Sequence, residues 1–201
     1  MGDELPRVSQ ILKLAGVLPD STYLPQSALD RGTAVHLYTE LYDRGRLDES
    51  QVDPIVAPYL EGYKNFLLET GAEVIGIEEK VESRIYQYQG RLDRRLKIGK
   101  DFLVMDIKCG QPMPWHALQL AAYSLTLPPE YSRFRLGVCL DQSYPRGYKL
   151  AKYKERSDYD IWKACLTLFH WKSQVGFEDQ LLEAASVRFG GETELDPWRF
   201  Q

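Results

Sequence analysis

Two acidic residues and a lysine are the side chains in this sequence whose types and spacing best suit catalysis. Asp106 and Lys108 close the largely apolar segment 104–108, and Asp93 ends the segment 90–93, which reads Gly-Arg-Leu-Asp. Paired carboxylates can hold a divalent metal and activate water, and a neighbouring lysine can stabilise charge that develops on a phosphate. The set favours phosphodiester hydrolysis, although a surface salt-bridge patch would show the same three residue types.

The elements that must position these residues are predicted from alternating polar and apolar side chains. Residues 73–108 alternate as strands do, which predicts a three-stranded antiparallel meander. Turns are predicted at residues 87–90 and 98–101. Asp93 then lies on the second strand and Asp106 on the third, so hairpin pairing brings the two carboxylates together, and a cation offsets their repulsion. Lys108 projects from the same face as Asp106 because it lies two residues further along the strand.

Helices and two further strands are predicted around this meander from the spacing of apolar residues. The helices cover residues 8–14, 27–42, 54–69, 115–127, 159–171 and 177–187, and the strands cover 134–140 and 148–153. The order αβββαβ within this list predicts an α/β fold, of the α+β kind, in which a mixed sheet is flanked by helices. We expect a single domain over 1–201, with an N-terminal helical segment (about 1–70) and a C-terminal helical segment (about 158–190).

The amino-acid composition argues against a disordered or fibrous protein. Hydrophobic residues make up 44% and charged residues 27%, as in an ordinary globular protein. The sequence shows no signal peptide and no apolar run long enough for a membrane span, so a cytoplasmic location is expected. The three cysteines are too few for an iron-sulfur cluster, and their spacing indicates neither a zinc site nor a disulfide framework.

Basic residues are clustered locally, although the net charge of −4 argues against a surface that binds nucleic acid everywhere. One cluster surrounds Asp93, and a second follows the turn near residue 145. The first comprises Arg91, Arg94, Arg95, Lys97 and Lys100, and the second comprises Lys149, Lys152, Lys154 and Arg156. Either cluster can equally be a solvated strand face.

A histidine and a glutamate are further candidates. His36 follows Arg-Gly-Thr at 31–33 on the second helix, where a glycine permits close backbone approach, although a lone helical histidine is more often structural. In the segment 77–81, Ile-Glu-Glu-Lys-Val, one of the two glutamates must point inward if the strand is half-buried. Glu79 is favoured, and Glu78 is the substitute.

Taken together, these residues resemble the RecB-like branch of the PD-(D/E)XK nuclease superfamily, particularly exonucleases common in phages and prophages. Five short motifs carry the resemblance in the family's order. They are Gly-Thr-Ala-Val-His at 32–36, Glu79, Gly-Arg-Leu-Asp at 90–93, Asp-Ile-Lys at 106–108 and Gln-Leu-Ala-Ala-Tyr at 119–123. The resemblance spans most of the chain, from about residue 8 to 171, and implies a restriction-endonuclease-like core.

The resemblance also implies a role for each matching residue. The metal ligands would be His36, Asp93, Asp106 and the backbone carbonyl of Ile107. The catalytic residues would be Lys108, Asp106 and Asp93, assisted by Glu79. Substrate contacts would come from Gln119 and Tyr123, which lie one helical turn apart, and from Arg91 and Arg94. By themselves Gln119 and Tyr123 would more often be a pair that packs the helix.

The expected function is therefore a DNA nuclease, most simply an exonuclease, that depends on Mg²⁺ or Mn²⁺. A histidine ligand would make manganese an effective substitute for magnesium. The resemblance suggests a place in phage-type DNA recombination or repair in a bacterium or infected host, with DNA, a recombination or single-strand-annealing protein and further copies of the chain as partners. No membrane partner is expected.

The sequence departs from the family pattern at Cys109, where relatives often carry threonine. It also lacks the cysteines of the iron-sulfur relatives, so a cluster-free enzyme is expected. Two other functions stay open. The chain could be a non-catalytic DNA-binding or recombination-partner module on the same fold, or an interaction domain that uses Trp162 and Trp171, although these tryptophans suit the core of the last long helix better.

Overall fold

The computed structural model describes residues 4–18, 25–132 and 134–176. Its sheet has five strands: β1 (Glu73–Ser83), β2 (Tyr88–Ile98), β3 (Asp101–Cys109), β4 (Arg135–Leu140) and β5 (Tyr148–Tyr153). The α-helices in these ranges are α1 (Val8–Leu14), α2 (Gln26–Asp43), α3 (Ala57–Thr70), α4 (Trp115–Ser124) and α5 (Ser157–Gln174). The strands are ordered in the sheet as in the chain, and β3 and β4 are parallel while the other neighbours are antiparallel. The predicted αβββαβ order and mixed sheet flanked by helices are confirmed.

Several boundaries differ from the prediction. The first hairpin turns at residues 84–87 rather than 87–90, because Ser83 pairs with Tyr88 and leaves four residues for the turn. Helix α3 begins at Ala57, since the Asp53 carboxylate accepts a hydrogen bond from the Ile55 N–H at 2.8 Å and closes a turn ahead of the helix. Helix α4 ends at Ser124, before the predicted end at residue 127.

The helix expected at residues 177–187 lies outside the described part of the chain. Among the helices that are described, none is both long enough and apolar enough to cross a membrane.

Two large apolar clusters, and a smaller third one around Val104, Leu120 and Tyr131, pack the sheet against the helices. Residues of α3, such as Tyr63 and Phe66, pack with inner residues of β2 and β3 in one cluster. The other cluster joins α1, α4 and α5 to β2, and its largest member, Trp162, packs edge-on against Tyr88 at a ring distance of 5.0 Å. Because β3 lies at the centre of the sheet, nearly all of its inner residues are buried, so any charge it carries there is held away from water.

The pairing of β2 with β3 stops at the acidic residues. The β2–β3 ladder runs from the pair Ile98–Asp101 to the pair Arg94–Met105. Beyond that point β2 still pairs with β1 and β3 pairs with β4, but β2 and β3 no longer pair with each other. Asp93 and Asp106 come directly after the last pair. Two carboxylates therefore stand where two buried strands diverge.

Candidate metal and catalytic site

Asp93 bridges the gap between the diverging strands. Its Oδ2 accepts a hydrogen bond from the Ile107 N–H at 2.7 Å. Burial, and then repulsion by Asp106, raise the pKa of Asp93 to about 6, although His36 and Lys108 act in the opposite direction. The ionised carboxylate is therefore destabilised here, and a bound cation would relieve that cost.

Asp106 and Lys108 lie beside the first turn of α4. The Lys108 Nζ is 2.7 Å from the Asp106 Oδ2 and 5.5 Å from the centre of the Trp115 ring. This ion-pair contact falls outside hydrogen-bond geometry, so Asp106 Oδ2 is a buried oxygen that accepts no well-aligned hydrogen bond. Burial alone lowers the pKa of Lys108, but attraction by Asp106 and Asp93 outweighs burial and raises the pKa. Lys108 is a cation at neutral pH.

His36 reaches the acidic pair from α2, and Glu78 reaches it from β1. The His36 Nδ1 is 3.6 Å from Asp93 Oδ2 and 3.8 Å from Glu78 Oε1. One ligand atom from each of these three residues lies within 4.8 Å of the other two. Burial lowers the pKa of His36, but Asp93 and then Glu78 raise it to a larger combined extent. The structure thus brings together His36 and Asp93 as predicted.

Glu78, rather than the favoured Glu79, faces this cluster. The backbone of Glu78 has φ +51°, in the left-handed region that residues other than glycine rarely adopt, and this interrupts the alternation of β1. Glu79 instead forms a two-point ion pair with Arg95, in which Nη2 lies 2.7 Å from Oε1. That pair lies over Gly76, where a Cβ would come within 2.6 Å of the Glu79 carboxylate. The expectation for Glu79 is wrong because it assumed regular alternation.

Arg94 is not a substrate contact, because its side chain has no exposed surface. It donates hydrogen bonds to Asp43 Oδ2 at 2.6 Å and to Glu78 Oε1 at 2.9 Å. Arg91 fits the prediction better, since its side chain is 63% exposed and its Nε lies 2.9 Å from Glu78 Oε2. Of the two predicted arginines, only Arg91 can meet a substrate.

The residues that hold Arg94 were missed by sequence reasoning. Arg94 Nη2 donates to Thr39 Oγ1 at 3.2 Å, and Tyr63 Oη donates to Asp43 Oδ2 at 2.8 Å. A signal was present, because Thr39 and Asp43 follow His36 at spacings of three and seven residues, which places all three on one face of α2.

Gln119 and Tyr123 contact each other on α4, where Gln119 Nε2 donates to Tyr123 Oη at 3.1 Å. Tyr123 packs against Gly90, whose missing Cβ would lie 2.5 Å from the tyrosine ring. The glycine of the Gly-Arg-Leu-Asp segment is therefore needed for this packing. Substrate contact by Gln119 and Tyr123 stays a prediction.

A cleft of about 510 Å³ opens beside the cluster, with Glu78 and Tyr123 in its wall. Three cations also line it: Arg7, Lys80 and Arg91. Arg95 and Lys97 of the first basic cluster are instead paired with Glu79 and with Glu73, the latter at 3.5 Å. Glu4 and Glu78 also line the cleft, at 3.6 Å from Arg7 and 2.9 Å from Arg91, so its lining carries a small excess of positive charge.

Comparison with known proteins gives backbone similarities only. No model of a protein family matches the chain, and no curated protein sequence matches it. The chain is similar to the crystal structure of the alkaline exonuclease LHK-Exo from Laribacter hongkongensis, at 16% identity and a TM-score of 0.41, over 90% of this chain and 82% of that one. It is also similar to the crystal structure of LHK-Exo in complex with dAMP, at 14% identity and a TM-score of 0.42, over 91% of this chain and 94% of that one. Activity must therefore be argued from the residues of this chain.

The donor set fits a hard divalent cation. Four buried or nearly buried carboxylates surround the site: Asp43, Glu78, Asp93 and Asp106. Two buried or largely buried cations, Arg94 and Lys108, face them, and the exposed Arg91 pairs with Glu78 from outside, which leaves one surplus negative charge while His36 is neutral. Carboxylates with one imidazole suit Mg²⁺ or Mn²⁺. Burial raises the pKa of the neighbouring Cys109 thiol to about 11, so a thiolate ligand is not expected.

Proposed function

We propose that this chain is a divalent-metal-dependent nuclease that hydrolyses the phosphodiester bonds of DNA. The observation that carries the proposal is the buried surplus of carboxylates next to a charged lysine, beside a cleft lined by cations. Within the buried part of the cluster the carboxylates outnumber the cations, and a bound divalent cation would offset their mutual repulsion.

His36, Asp93 and Asp106 are the proposed metal ligands. Glu78 takes the place that was expected for Glu79, and the Ile107 carbonyl stays a predicted ligand. A bound ion would neutralise charge on a phosphate oxygen and lower the pKa of water. The hydrogen bond from the Ile107 N–H holds Asp93 Oδ2 in place, so the carboxylate does not need to reorganise when the ion enters.

Lys108 is the proposed catalytic cation. Its raised pKa keeps the proton on Nζ, so it serves as a fixed positive charge rather than a base. Only a fifth of its side chain is exposed, which strengthens its attraction to a phosphate because water screens it little. It would stabilise negative charge that develops on the phosphate as the bond to the attacking oxygen forms.

The cations that line the cleft favour a polyanionic substrate. Arg7, Lys80 and Arg91 can pair with successive phosphates, as backbone-binding proteins do. Tyr123 lies in the same wall with little exposed surface, and with Gln119 it is the proposed contact to the nucleotide.

Narrower proposals rest on the sequence resemblance. We propose exonuclease action on DNA in phage-type recombination or repair, with Mg²⁺ or Mn²⁺ as the ion. A recombination or annealing protein and further copies of the chain are proposed partners.

Digestion of end-labelled linear DNA and closed circular DNA tests the proposal, with Mg²⁺, Mn²⁺ or a chelator present. Metal should permit digestion of the linear form, and the chelator should stop it. Lys108→Met should lower the rate by about 10³-fold or more, because a fixed transition-state charge is lost. Lys97→Met, at an exposed lysine beside Glu73, is the matched control and should keep the wild-type rate. DNA that is retarded but never cut would instead indicate a binding module.

A further inference from the structure

Arg94 lies behind the proposed metal site and contacts acidic residues on two of the three strands that carry its acids. One nitrogen, Nη1, donates to Glu78 Oε1 at 2.9 Å and to the backbone carbonyl of Asp93 at 2.7 Å. The side chain has no exposed surface, so a substrate cannot reach it. Its charge and its hydrogen bonds therefore act only on these neighbours.

The rest of the guanidinium is attached to the helix that carries the histidine. Nε donates to Asp43 Oδ2 at 2.6 Å, and Nη2 donates to Thr39 Oγ1 at 3.2 Å. Thr39 and Asp43 share a face of α2 with His36. Arg94 thus joins the helix that carries His36 to the strands that carry Glu78 and Asp93.

We infer that Arg94 is a positioning residue that sets the spacing of His36, Glu78 and Asp93 before the metal binds, an inference that rests on the proposed function. The guanidinium is planar and its donors form a rigid fork, so fixing one edge on α2 fixes the other edge against β1 and β2. Without it, repulsion among the carboxylates would move them apart.

Two features support this role over simple packing. Glu78 keeps φ +51°, and such a backbone persists only where its surroundings hold it, which here includes the bond from Arg94. The positive charge of Arg94 is neutralised by Asp43, whose side chain is only 2% exposed. Arg94 can therefore order the ligands without repelling a cation from the site.

Calorimetric titration of the metal-free protein with Mn²⁺ tests the inference. Arg94→Lys keeps the positive charge but loses the planar set of guanidinium donors. It should raise the Kd for Mn²⁺ about 10–100-fold, as the loss of other groups that orient metal ligands does. Arg95→Met is the matched control, because Arg95 is the next residue and forms an ion pair with Glu79 instead. This variant should leave the Kd within about twofold of wild type.

Activity assays separate positioning from substrate binding. Excess Mn²⁺ should restore much of the activity of Arg94→Lys with an unchanged KM for DNA, whereas Arg91→Gln should raise that KM and keep the affinity for Mn²⁺. If Arg94→Lys fails to fold, Asp43→Asn loosens the same arginine and should weaken Mn²⁺ binding several-fold.

Equal Mn²⁺ affinity in wild type and the folded Arg94→Lys variant, or in Asp43→Asn, would overturn the inference and leave the proposed function standing. A wild-type protein that binds no Mn²⁺ and cuts no DNA would overturn both.

Discussion

The β1–β2 hairpin contains two glutamate–arginine pairs built from adjacent residues. In the closed pair, Glu79 and Arg95 bond through two nitrogens and both carboxylate oxygens, and a third nitrogen donates to Tyr131. The two side chains are 33% and 28% exposed. In the open pair, Arg94 has no exposed surface and divides its donors between Glu78 and other acceptors.

The difference between the two pairs lies in their burial and in their balance of charge. The closed pair balances its own charge and is screened by water, so it contributes about 0–1 kcal/mol. The open pair belongs to a buried cluster with surplus negative charge, and such a cluster is weak evidence for stability because desolvation costs several kcal/mol per ion. A cation that binds there would offset the repulsion among the buried carboxylates, whereas the charges of the closed pair already balance.

The largest expected difference between the pairs is in stability. Arg94→Met leaves Asp43 and Glu78 buried with less compensation, so the free energy of unfolding should fall by about 3–5 kcal/mol. Arg95→Met should cost about 1 kcal/mol or less, because its partner can be solvated. Urea denaturation of both variants measures the contrast, and equal losses would remove the distinction drawn between the two pairs.

The second-largest expected difference is in the activity of variants of the two glutamates. Glu78→Gln removes a charge beside His36 and Asp93 and should lower kcat/KM by about 100-fold, at the upper end of effects seen when groups near a metal are removed. Glu79→Gln should stay within about twofold of wild type. The reverse ranking would return Glu79 to the role that the sequence favoured.

The pH dependence of stability sharpens the contrast further. The pKa of Asp93 is raised from 3.8 to about 6 by burial and then by Asp106. A carboxyl with a higher pKa in the folded state binds more protons there, so the contribution of Asp93 to the stability of the metal-free protein should fall as the pH rises from about 4 to 6.

Asp93→Asn removes that loss. Its Tm without metal should exceed that of wild type by about 3–8 °C at pH 7.5, and the gap should close toward pH 4. Added Mn²⁺ should stabilise wild type far more than the variant. A variant that melts below the wild type at pH 7.5 without metal would contradict the proposed charge surplus.

The smallest expected effect concerns Trp115, whose ring centre lies 5.5 Å from Lys108 Nζ. Trp115→Leu removes the aromatic face that holds the ammonium and should lower kcat about threefold to tenfold with an unchanged KM. Trp115→Phe should retain most of kcat, because the ring remains. Equal losses in both variants would assign the effect to packing instead.

Much of the fold could be predicted from sequence because apolar periodicity records which side of each element is buried. The meander placed Asp93 beside Asp106 on adjacent strands, and Lys108 follows Asp106 by one alternation. Glu78 and Glu79 could not be told apart, because a positive φ at Glu78 depends on tertiary bonds that the sequence pattern does not record.

The burial of Arg94 was also beyond sequence reasoning. Five basic residues between positions 91 and 100 look like one exposed surface. Arg94 is buried because Asp43 and Tyr63, distant in sequence, supply partners for it inside the protein. A charged residue is buried only where such partners converge, and that convergence is a property of the fold.

Anomalous diffraction from a crystal soaked in Mn²⁺ tests the central claim most directly. We expect one strong peak between His36, Asp93 and Asp106, about 2.0–2.3 Å from their ligand atoms, and no peak at the Glu79–Arg95 pair. A crystal that shows no peak in this cluster, from a protein that still cuts DNA in the presence of a chelator, would contradict it.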